Sequence, residues 1–406
     1  MKLFYYKDNK KPINYFETNE QVVIPSEYKE KSVRAFWVST VANIDLPVLK
    51  DELEYKKLLD EIVANAVKFN INTIYFQVRP LNDAFYMSKL NPISRYLMGE
   101  EGLNPPFDVL KYLIDAAKKE NIEIHAWANP YRVSRPIGDL TKDEYLATLD
   151  DKNFAKRNPN LIIKDETGQL ILNPTREEVK QFIVDSMVEI LENYDVKGVH
   201  WDDYFYPYAK LSEEDNDLKE FENRKDKSQA LDDFRRMHVT DVIKMTYEAV
   251  KAVNKDLQFG VSPFGIWQSK HTDPRGANVA ENVSASYIRQ YADTLDWIEK
   301  EIIDYIVPQL YWEFGHNLAP FADLAKWWAN AVKGTNVKLY IGHAAYRLGN
   351  EGEFENINEV ANQLRFANSF DEVSGNVFFT YKNFKGIEVS KDGMEQIRKT
   401  LNKEKL

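Results

Sequence analysis

The chain of 406 residues contains no cysteine, which excludes disulfides, thiolate metal sites and a cysteine nucleophile. It also lacks any apolar run of about eighteen residues, so no membrane span is predicted. Residues 1–30 are polar and rich in lysine, without the apolar core of a secretory signal. As written, the chain is therefore expected in the cytoplasm, or in the cell envelope or medium if an export segment has been removed.

The chain has fewer basic than acidic residues: 53 Lys and Arg and 64 Asp and Glu give a net charge of −11. The electrostatic field of a negatively charged protein repels phosphate backbones, so nucleic acid is not an expected partner. The sequence has no HExxH motif, no metal-site spacing of His and Asp, no Walker loop and no GxGxxG motif, so neither a metal nor another cofactor is predicted. Aromatic residues are plentiful at 13% of the chain, and their flat faces suit sugar rings as well as cores.

One pattern recurs after residue 31: a short apolar run, a polar or aromatic loop, and a helical stretch. Such alternation is typical of parallel βαβ units, and eight of them close into a (β/α)₈ TIM barrel. Helices with apolar residues three and four apart are predicted at 52–69, 107–120, 175–194 and 232–253. The predicted strands are 33–38, 73–78, 123–128, 198–202, 258–262, 305–310, 338–342 and 376–380.

No linker or fixed-period repeat divides the chain, so we expect an irregular leader over residues 1–31 and a single barrel domain over residues 32–406. Two connections from a strand to the next helix are long: residues 129–173 after strand three and residues 203–230 after strand four. In a barrel these connections lie at the carboxyl ends of the strands, where active sites are built. The functional residues are therefore expected there.

Acidic side chains embedded in aromatic residues follow two of the predicted strands. Asp202 and Asp203 end strand four, and Glu313 follows strand six. Hydrolysis of a glycoside uses a proton donor and a second carboxylate, and burial among rings raises the pKa of a donor. The structural alternative is a helix N-cap or a loop salt bridge for the two aspartates, and a salt bridge to Arg347 or Arg132 for Glu313. The three acids are our candidate catalytic residues.

Polar and planar side chains follow the other predicted strands and would converge on the same rim of the barrel. Groups of this kind hydrogen-bond to and stack on a polyhydroxylated ligand. His125 and His200 lie inside strands and are expected to be interior histidines rather than metal ligands. The candidate substrate-binding residues are Gln77, Arg79, Asn129, Tyr131, Arg132, Tyr204, Tyr206, Trp267, Tyr311, Trp312, His343 and Tyr346.

Six motifs follow one another along the chain: RAFWVSTVANID (34–45), FQVRP (76–80), WANPYR (127–132), WDDYFYP (201–207), SPFGIW (262–267) and PQLYW (308–312). In this order they resemble the motifs of the glycosyl-hydrolase-like family 10 of bacterial barrel proteins, from about residue 32 to near the C-terminus. The resemblance implies a glycosidase-type barrel, and bacterial members of the family are implicated in cleaving the glycan strands of peptidoglycan.

Two mechanisms follow from this resemblance. In a retaining mechanism with two carboxylates, Asp202 or Asp203 is the nucleophile and Glu313 the acid/base. In a substrate-assisted mechanism the N-acetyl group of the sugar attacks, the two aspartates orient it and protonate the leaving oxygen, and Glu313 binds sugar.

The candidate site predicts a glycoside hydrolase whose partner is an oligo- or polysaccharide, and the resemblance implies that this is a β-linked bacterial polymer containing N-acetylhexosamine. A non-catalytic glycan-binding barrel is the first alternative. A barrel lyase or aldolase acting on small phosphorylated molecules is the second. Against it, this chain has neither a Gly-rich phosphate loop after strands seven and eight nor an obvious Schiff-base lysine at a strand end.

Overall fold

The computed structural model describes residues 1–404, and its centre is a closed barrel of eight parallel strands. Each strand pairs with the next in sequence, and the last pairs with the first, with Gly375 opposite Val33. The predicted (β/α)₈ barrel is therefore confirmed. The strands are β1 (Val33–Val38), β2 (Thr73–Arg79), β3 (Glu123–Ala128), β4 (Gly198–Trp201), β5 (Gln258–Val261), β6 (Tyr305–Ile306 and Gln309–Leu310), β7 (Lys338–His343) and β8 (Val373–Phe378).

Two strands differ from their prediction for local chemical reasons. β6 is split at residues 307 and 308, because Pro308 has no N–H to donate to a ladder. β8 begins at Val373, three residues earlier than predicted, since Ser374 and Gly375 weaken the apolar signal of its first half.

One main helix follows each strand and packs outside the barrel. Asp51 and Asp108 cap the first two helices by accepting the backbone N–H groups of Glu54 and Lys111. Among residues 1–404, none of the helices combines the length and the hydropathy needed to cross a bilayer. The helices are α1 (Glu52–Lys68), α2 (Val109–Lys119), α3 (Glu177–Asn193), α4 (Leu231–Val253), α5 (Thr294–Glu299), α6 (Phe321–Val332), α7 (Glu359–Ala367) and α8 (Lys391–Leu401).

The connections after β3 and β4 pack against each other at the carboxyl ends of the strands. The first contains an antiparallel hairpin, Ile162–Lys164 paired with Leu170–Leu172, and the second contains a short helix, Leu218–Glu222. The backbone N–H of Ser212 donates to the carbonyl of Lys164 at 2.8 Å, which joins the two connections.

Residues 1–31 are not an irregular leader in the structure. They form a hairpin of Phe4–Tyr5 and Asp8–Pro12, and Val22 and Ile24 behind it are buried in the core. The hairpin was missed because Asp8–Pro12 is charged and exposed on both faces, so it carries no alternation of apolar and polar residues. The backbone N–H of Phe16 donates to Asp323 of α6 at 3.0 Å, which ties this segment to the barrel.

The interior of the barrel is aromatic and polar. The hydroxyl of Tyr305 lies 3.0 Å from Nδ1 of His125 and 3.2 Å from Nδ1 of His200. Nε2 of His200 lies 3.0 Å from Ser262 Oγ and accepts the indole N–H of Trp37 at 3.2 Å. Burial lowers the pKa of His125 to about 3 and that of His200 well below its usual value, so both are neutral interior histidines, as predicted.

The close approach of β5 to Tyr305 gives a test of this packing. A Cβ at Gly260 would lie 2.2 Å from the Tyr305 ring, so Gly260→Ala should lower the free energy of unfolding by about 3 kcal/mol in urea titrations. Gly334→Ala is the control: its φ is +85° with no atom within 4 Å of the added Cβ, and its cost should be about 1 kcal/mol. Equal losses in the two variants would contradict this account.

Candidate active site

The carboxyl ends of the strands surround a cavity of about 250 Å³ that contains both aspartates. Ligand sites span roughly 300–1,000 Å³, so this cavity suits one sugar residue rather than a long polymer segment. Its mouth is open, because Ile44 and Tyr346 are 37% and 39% exposed. The lining residues are Trp37, Ser39, Val41, Ile44, Gln77, Trp127, Arg132, Asp202, Asp203, Tyr204, Tyr208, Ser262, Gln309, Tyr311, Tyr346 and Phe379.

Asp202 directly follows β4 and is held by N–H groups from the end of β3. The indole N–H of Trp127 donates to Oδ2 at 3.1 Å, and the side-chain amide of Asn129 donates to Oδ1 at 3.1 Å. The backbone N–H of Tyr204 also donates to Oδ1, at 3.3 Å. Since an N–H can only donate, all three contacts favour the ionised form of Asp202.

Asp203 contacts the hydroxyl of Tyr208. A hydroxyl either donates to a carboxylate or accepts from a carboxylic acid, so Asp203 can hold a proton without losing this contact. Burial raises the pKa of both aspartates, repulsion from Asp203 raises that of Asp202 further, and the nearby charge of Arg132 lowers both. Two adjacent buried acids repel each other when both are charged, so the pair binds its first proton more readily than a free aspartate does.

Arg79 fixes the segment that holds Asp202. Its Nη1 donates to the carbonyls of Asn129 at 2.8 Å and Pro130 at 3.1 Å, and its Nη2 donates to the side chain of Asn82. Oδ1 of Asn129 in turn accepts the backbone N–H of Arg132 at 2.9 Å. Arg79 and Asn129 are fully buried and do not line the cavity, so they shape it from behind.

The fully buried side chain of Gln77 lies at the wall of the cavity. Its Oε1 accepts the backbone N–H groups of Thr40 and Val41, both at 2.9 Å, which orients the amide. Its Nε2 is buried and has no hydrogen-bond partner among the described residues. A buried donor without a partner is unusual in a folded protein, which keeps Gln77 a candidate for contact with a ligand.

The structure brings five of the predicted substrate-binding residues to the cavity wall. Arg132 lies with its guanidinium carbon 4.0 Å from the ring centroid of Tyr204, which holds a positive charge beside the aspartates. The five are Gln77, Arg132, Tyr204, Tyr311 and Tyr346, and the other seven are Arg79, Asn129, Tyr131, Tyr206, Trp267, Trp312 and His343.

Several of these seven side chains have partners within the fold. The hydroxyl of Tyr206 donates to Asp217 at 2.8 Å, and Nε2 of His343 lies 2.9 Å from Asn376 Oδ1. Trp267 is fully buried and stacks on Trp327 with ring centroids 6.0 Å apart. Tyr131 is fully buried in the core, and the half-buried Trp312 packs edge-on against Phe264.

Glu313 lies outside the cavity. Its Oε2 is 3.3 Å from Nη1 of Arg347, and the same nitrogen donates to the carbonyl of Tyr311 at 2.9 Å. The salt bridge considered as an alternative from the sequence is therefore present. A catalytic role for Glu313 stays a prediction, and the geometry of the cavity does not include it.

Nine lining residues were not among the predicted site residues. Most lie at strand ends, as do Trp37 on β1 and Trp127 on β3. The inward-facing positions at the carboxyl end of each predicted strand are the sequence signal that identifies them. Phe379 was hidden because strand eight was predicted to run past it. Tyr208 belongs to the aromatic run after the aspartates, but nothing in that run distinguishes it from Tyr206, which points elsewhere.

Residues 32–358 match the profile of the family described as Glycosyl hydrolase-like 10. The chain belongs to this family. Glycosyl hydrolase YngK of Bacillus subtilis (strain 168) is 37% identical over 363 residues, which cover 87% of this chain and 69% of the relative. Glycosyl hydrolase DigH of Escherichia coli (strain K12) is 31% identical over 375 residues, covering 87% and 84%. The protein is accordingly a glycoside hydrolase.

Solved structures share the barrel at low sequence identity. The PgaB (BpsB) glycoside hydrolase domain from Bordetella bronchiseptica superposes with a TM-score of 0.59 at 10% identity, covering 92% of this chain and 99% of that one. A putative α-L-fucosidase from Bacteroides thetaiotaomicron gives 0.52 at 10% identity, covering 95% and 97%. These likenesses concern the fold alone. Within residues 1–404 no group of three or more His, Cys, Asp and Glu is arranged to hold a metal ion.

The contact of Tyr208 with Asp203 predicts a titration shift. The hydroxyl lowers the pKa of Asp203, so Tyr208→Phe should raise that pKa, as measured by ¹³C NMR of labelled aspartate carboxyl groups. Tyr346→Phe, at the mouth of the same cavity, should leave the Asp203 titration unchanged. A pKa that stays the same or falls in Tyr208→Phe would contradict the assigned contact.

Proposed function

We propose that the protein hydrolyses a β-linked bacterial polysaccharide containing N-acetylhexosamine, with the glycan strands of peptidoglycan as its substrate, and that Asp202 and Asp203 carry out the chemistry with help from the substrate. One observation carries the proposal: both aspartates line one aromatic-walled cavity, whereas Glu313 is paired with Arg347 outside it. This separation favours the substrate-assisted mechanism over the one that needs two carboxylates on opposite sides of the sugar.

The hydrogen bonds of the two aspartates suggest separate roles. Asp203, beside the Tyr208 hydroxyl, holds the proton and donates it to the oxygen of the leaving sugar. The acetamido oxygen of the retained sugar attacks the anomeric carbon as that bond breaks, which forms a cyclic oxazolinium ion. Asp202, surrounded by N–H donors, stays ionised and stabilises its positive charge.

The second step regenerates the enzyme. Asp203, now a carboxylate, takes a proton from water as the water oxygen attacks the anomeric carbon and opens the ring. The product keeps the configuration of the substrate, and Asp203 is protonated again. The free Nε2 of Gln77 and the rings of Tyr204 and Tyr311 supply the hydrogen bond and flat surfaces that hold the sugar.

The assignment of the acid is tested by substitution. Asp203→Asn should reduce cleavage of peptide-free peptidoglycan strands by about 10²–10⁴-fold, because the proton donor is lost. Cleavage of an aryl N-acetylglucosaminide should fall much less, since its leaving group needs no proton. Products are measured by mass spectrometry.

Glu313→Gln is the matched comparison and should retain activity within a few-fold, because its carboxylate lies outside the cavity. A loss in Glu313→Gln as large as that in Asp203→Asn would favour the two-carboxylate mechanism. If the wild-type protein left both stripped and intact strands uncut, the proposed substrate would be wrong.

The raised pKa values predict a bell-shaped pH profile of kcat/KM. As pH rises, the aspartate pair loses its shared proton, so the proton donor is lost and activity falls. As pH falls, the pair takes up a second proton, so its negative charge is lost and activity also falls. Because burial raises both pKa values, the falling alkaline limb should lie well above the ordinary aspartate value of about 3.9. In Asp203→Asn the residual activity on the aryl glycoside should lack this limb, and its persistence would refute the assignment.

A further inference from the structure

A second groove, of about 370 Å³, lies beside the catalytic cavity. Tyr208 lines both spaces and forms the wall between them. Since this residue contacts Asp203, the groove begins one side chain away from the reacting group. A polymer bound at the aspartates would therefore extend directly into it.

The floor of the groove is rigid. Arg235 donates to both carboxylate oxygens of the fully buried Asp217, at 2.6 and 2.8 Å, and also to the hydroxyl of Tyr291 at 2.8 Å. The hydroxyl of Tyr206 donates to the same carboxylate. These contacts use up the polar groups at the base, so the groove is preformed and its floor charges are neutralised.

The sides of the groove are apolar and exposed. Tyr208, Leu218 and Ile288 are 41%, 42% and 39% exposed, although each is large and hydrophobic. Together they line one concave surface. Exposed apolar groups gathered in a groove mark a binding surface, and aromatic rings suit the C–H face of a pyranose.

Two cations at the groove have no assigned partner. Lys210 and Arg289 are exposed, and neither side chain forms a salt bridge or a hydrogen bond with any residue in the described range 1–404. They stand in a chain whose net charge is −11, and the groove contains one acid, Glu213. Among the residues that line the groove, these two cations outnumber the one acid, so the groove can attract an anionic ligand although the molecule as a whole is negative.

We infer that this groove binds the next sugar of the polysaccharide and that Lys210 and Arg289 recognise a carboxylate on that sugar. The inference rests on the proposed function, because the groove can hold the next sugar only if the cavity beside it binds the polysaccharide. It adds a selection by charge: the enzyme prefers a carboxylated amino sugar at this position over a neutral one.

Binding to the inactive Asp203→Asn protein tests the inference by calorimetry at low salt. The probes are a tetrasaccharide of alternating N-acetylglucosamine and N-acetylmuramic acid, which carries carboxylates, and its neutral methyl ester. The acid should bind about tenfold more tightly than the ester, as expected for two charge contacts with an open site. Adding Lys210→Gln and Arg289→Gln should bring this ratio close to one while leaving ester binding unchanged.

The control adds Lys57→Gln, an exposed lysine on α1 outside the groove, and should preserve the tenfold ratio. Equal binding of acid and ester to the Asp203→Asn protein would overturn the charge selection alone. A ratio that survives the loss of both cations would overturn their role. If neither saccharide bound, and wild-type protein cleaved neither, the proposed function itself would fail.

Discussion

Two adjacent carboxyl groups are buried at the end of one strand, and their burial depends on contacts with the surrounding residues of the site. An isolated buried charge costs several kcal/mol, so each aspartate needs compensating contacts. Asp202 receives them from Trp127 and Asn129 at the end of the neighbouring strand. Asn129 in turn stays in place because Arg79 binds its carbonyl. A continuous series of buried contacts therefore connects Arg79 through Asn129 to Asp202.

This dependence explains what could be predicted from the sequence. The barrel follows from the repeated strand and helix pattern, and closure of a barrel gathers strand ends, so the aspartate pair and Gln77 could be placed near each other without coordinates. Arg79 lies at the end of a strand in the same way, but its side chain lies behind the cavity wall. Sequence position gives the rim on which a residue lies, whereas the path of the connecting loop decides whether its side chain faces the cavity.

The same distinction applies to the aromatic residues. Tyr206 and Tyr208 are two positions apart in one loop, yet Tyr206 binds Asp217 while Tyr208 contacts Asp203. The ring at the end of β1, Trp37, lines the cavity and donates to His200 inside the barrel. The floor of the cavity is thus continuous with the neutral interior network. That network requires uncharged histidines, because a charged imidazole has no carboxylate to pair with there.

Glu313 is a chemically suitable acid whose side chain contacts an arginine beside the cavity. Its carboxylate pairs with Arg347, and the same arginine nitrogen donates to the carbonyl of Tyr311, whose ring lines the cavity. An acid after strand six is therefore compatible with two structures: one in which it faces the cavity, and one in which it pairs with an arginine that contacts a cavity-lining residue. The sequence pattern is the same in both. The arginine that decides between them comes from the connection after β7, more than thirty residues away, and only the closed barrel brings it near.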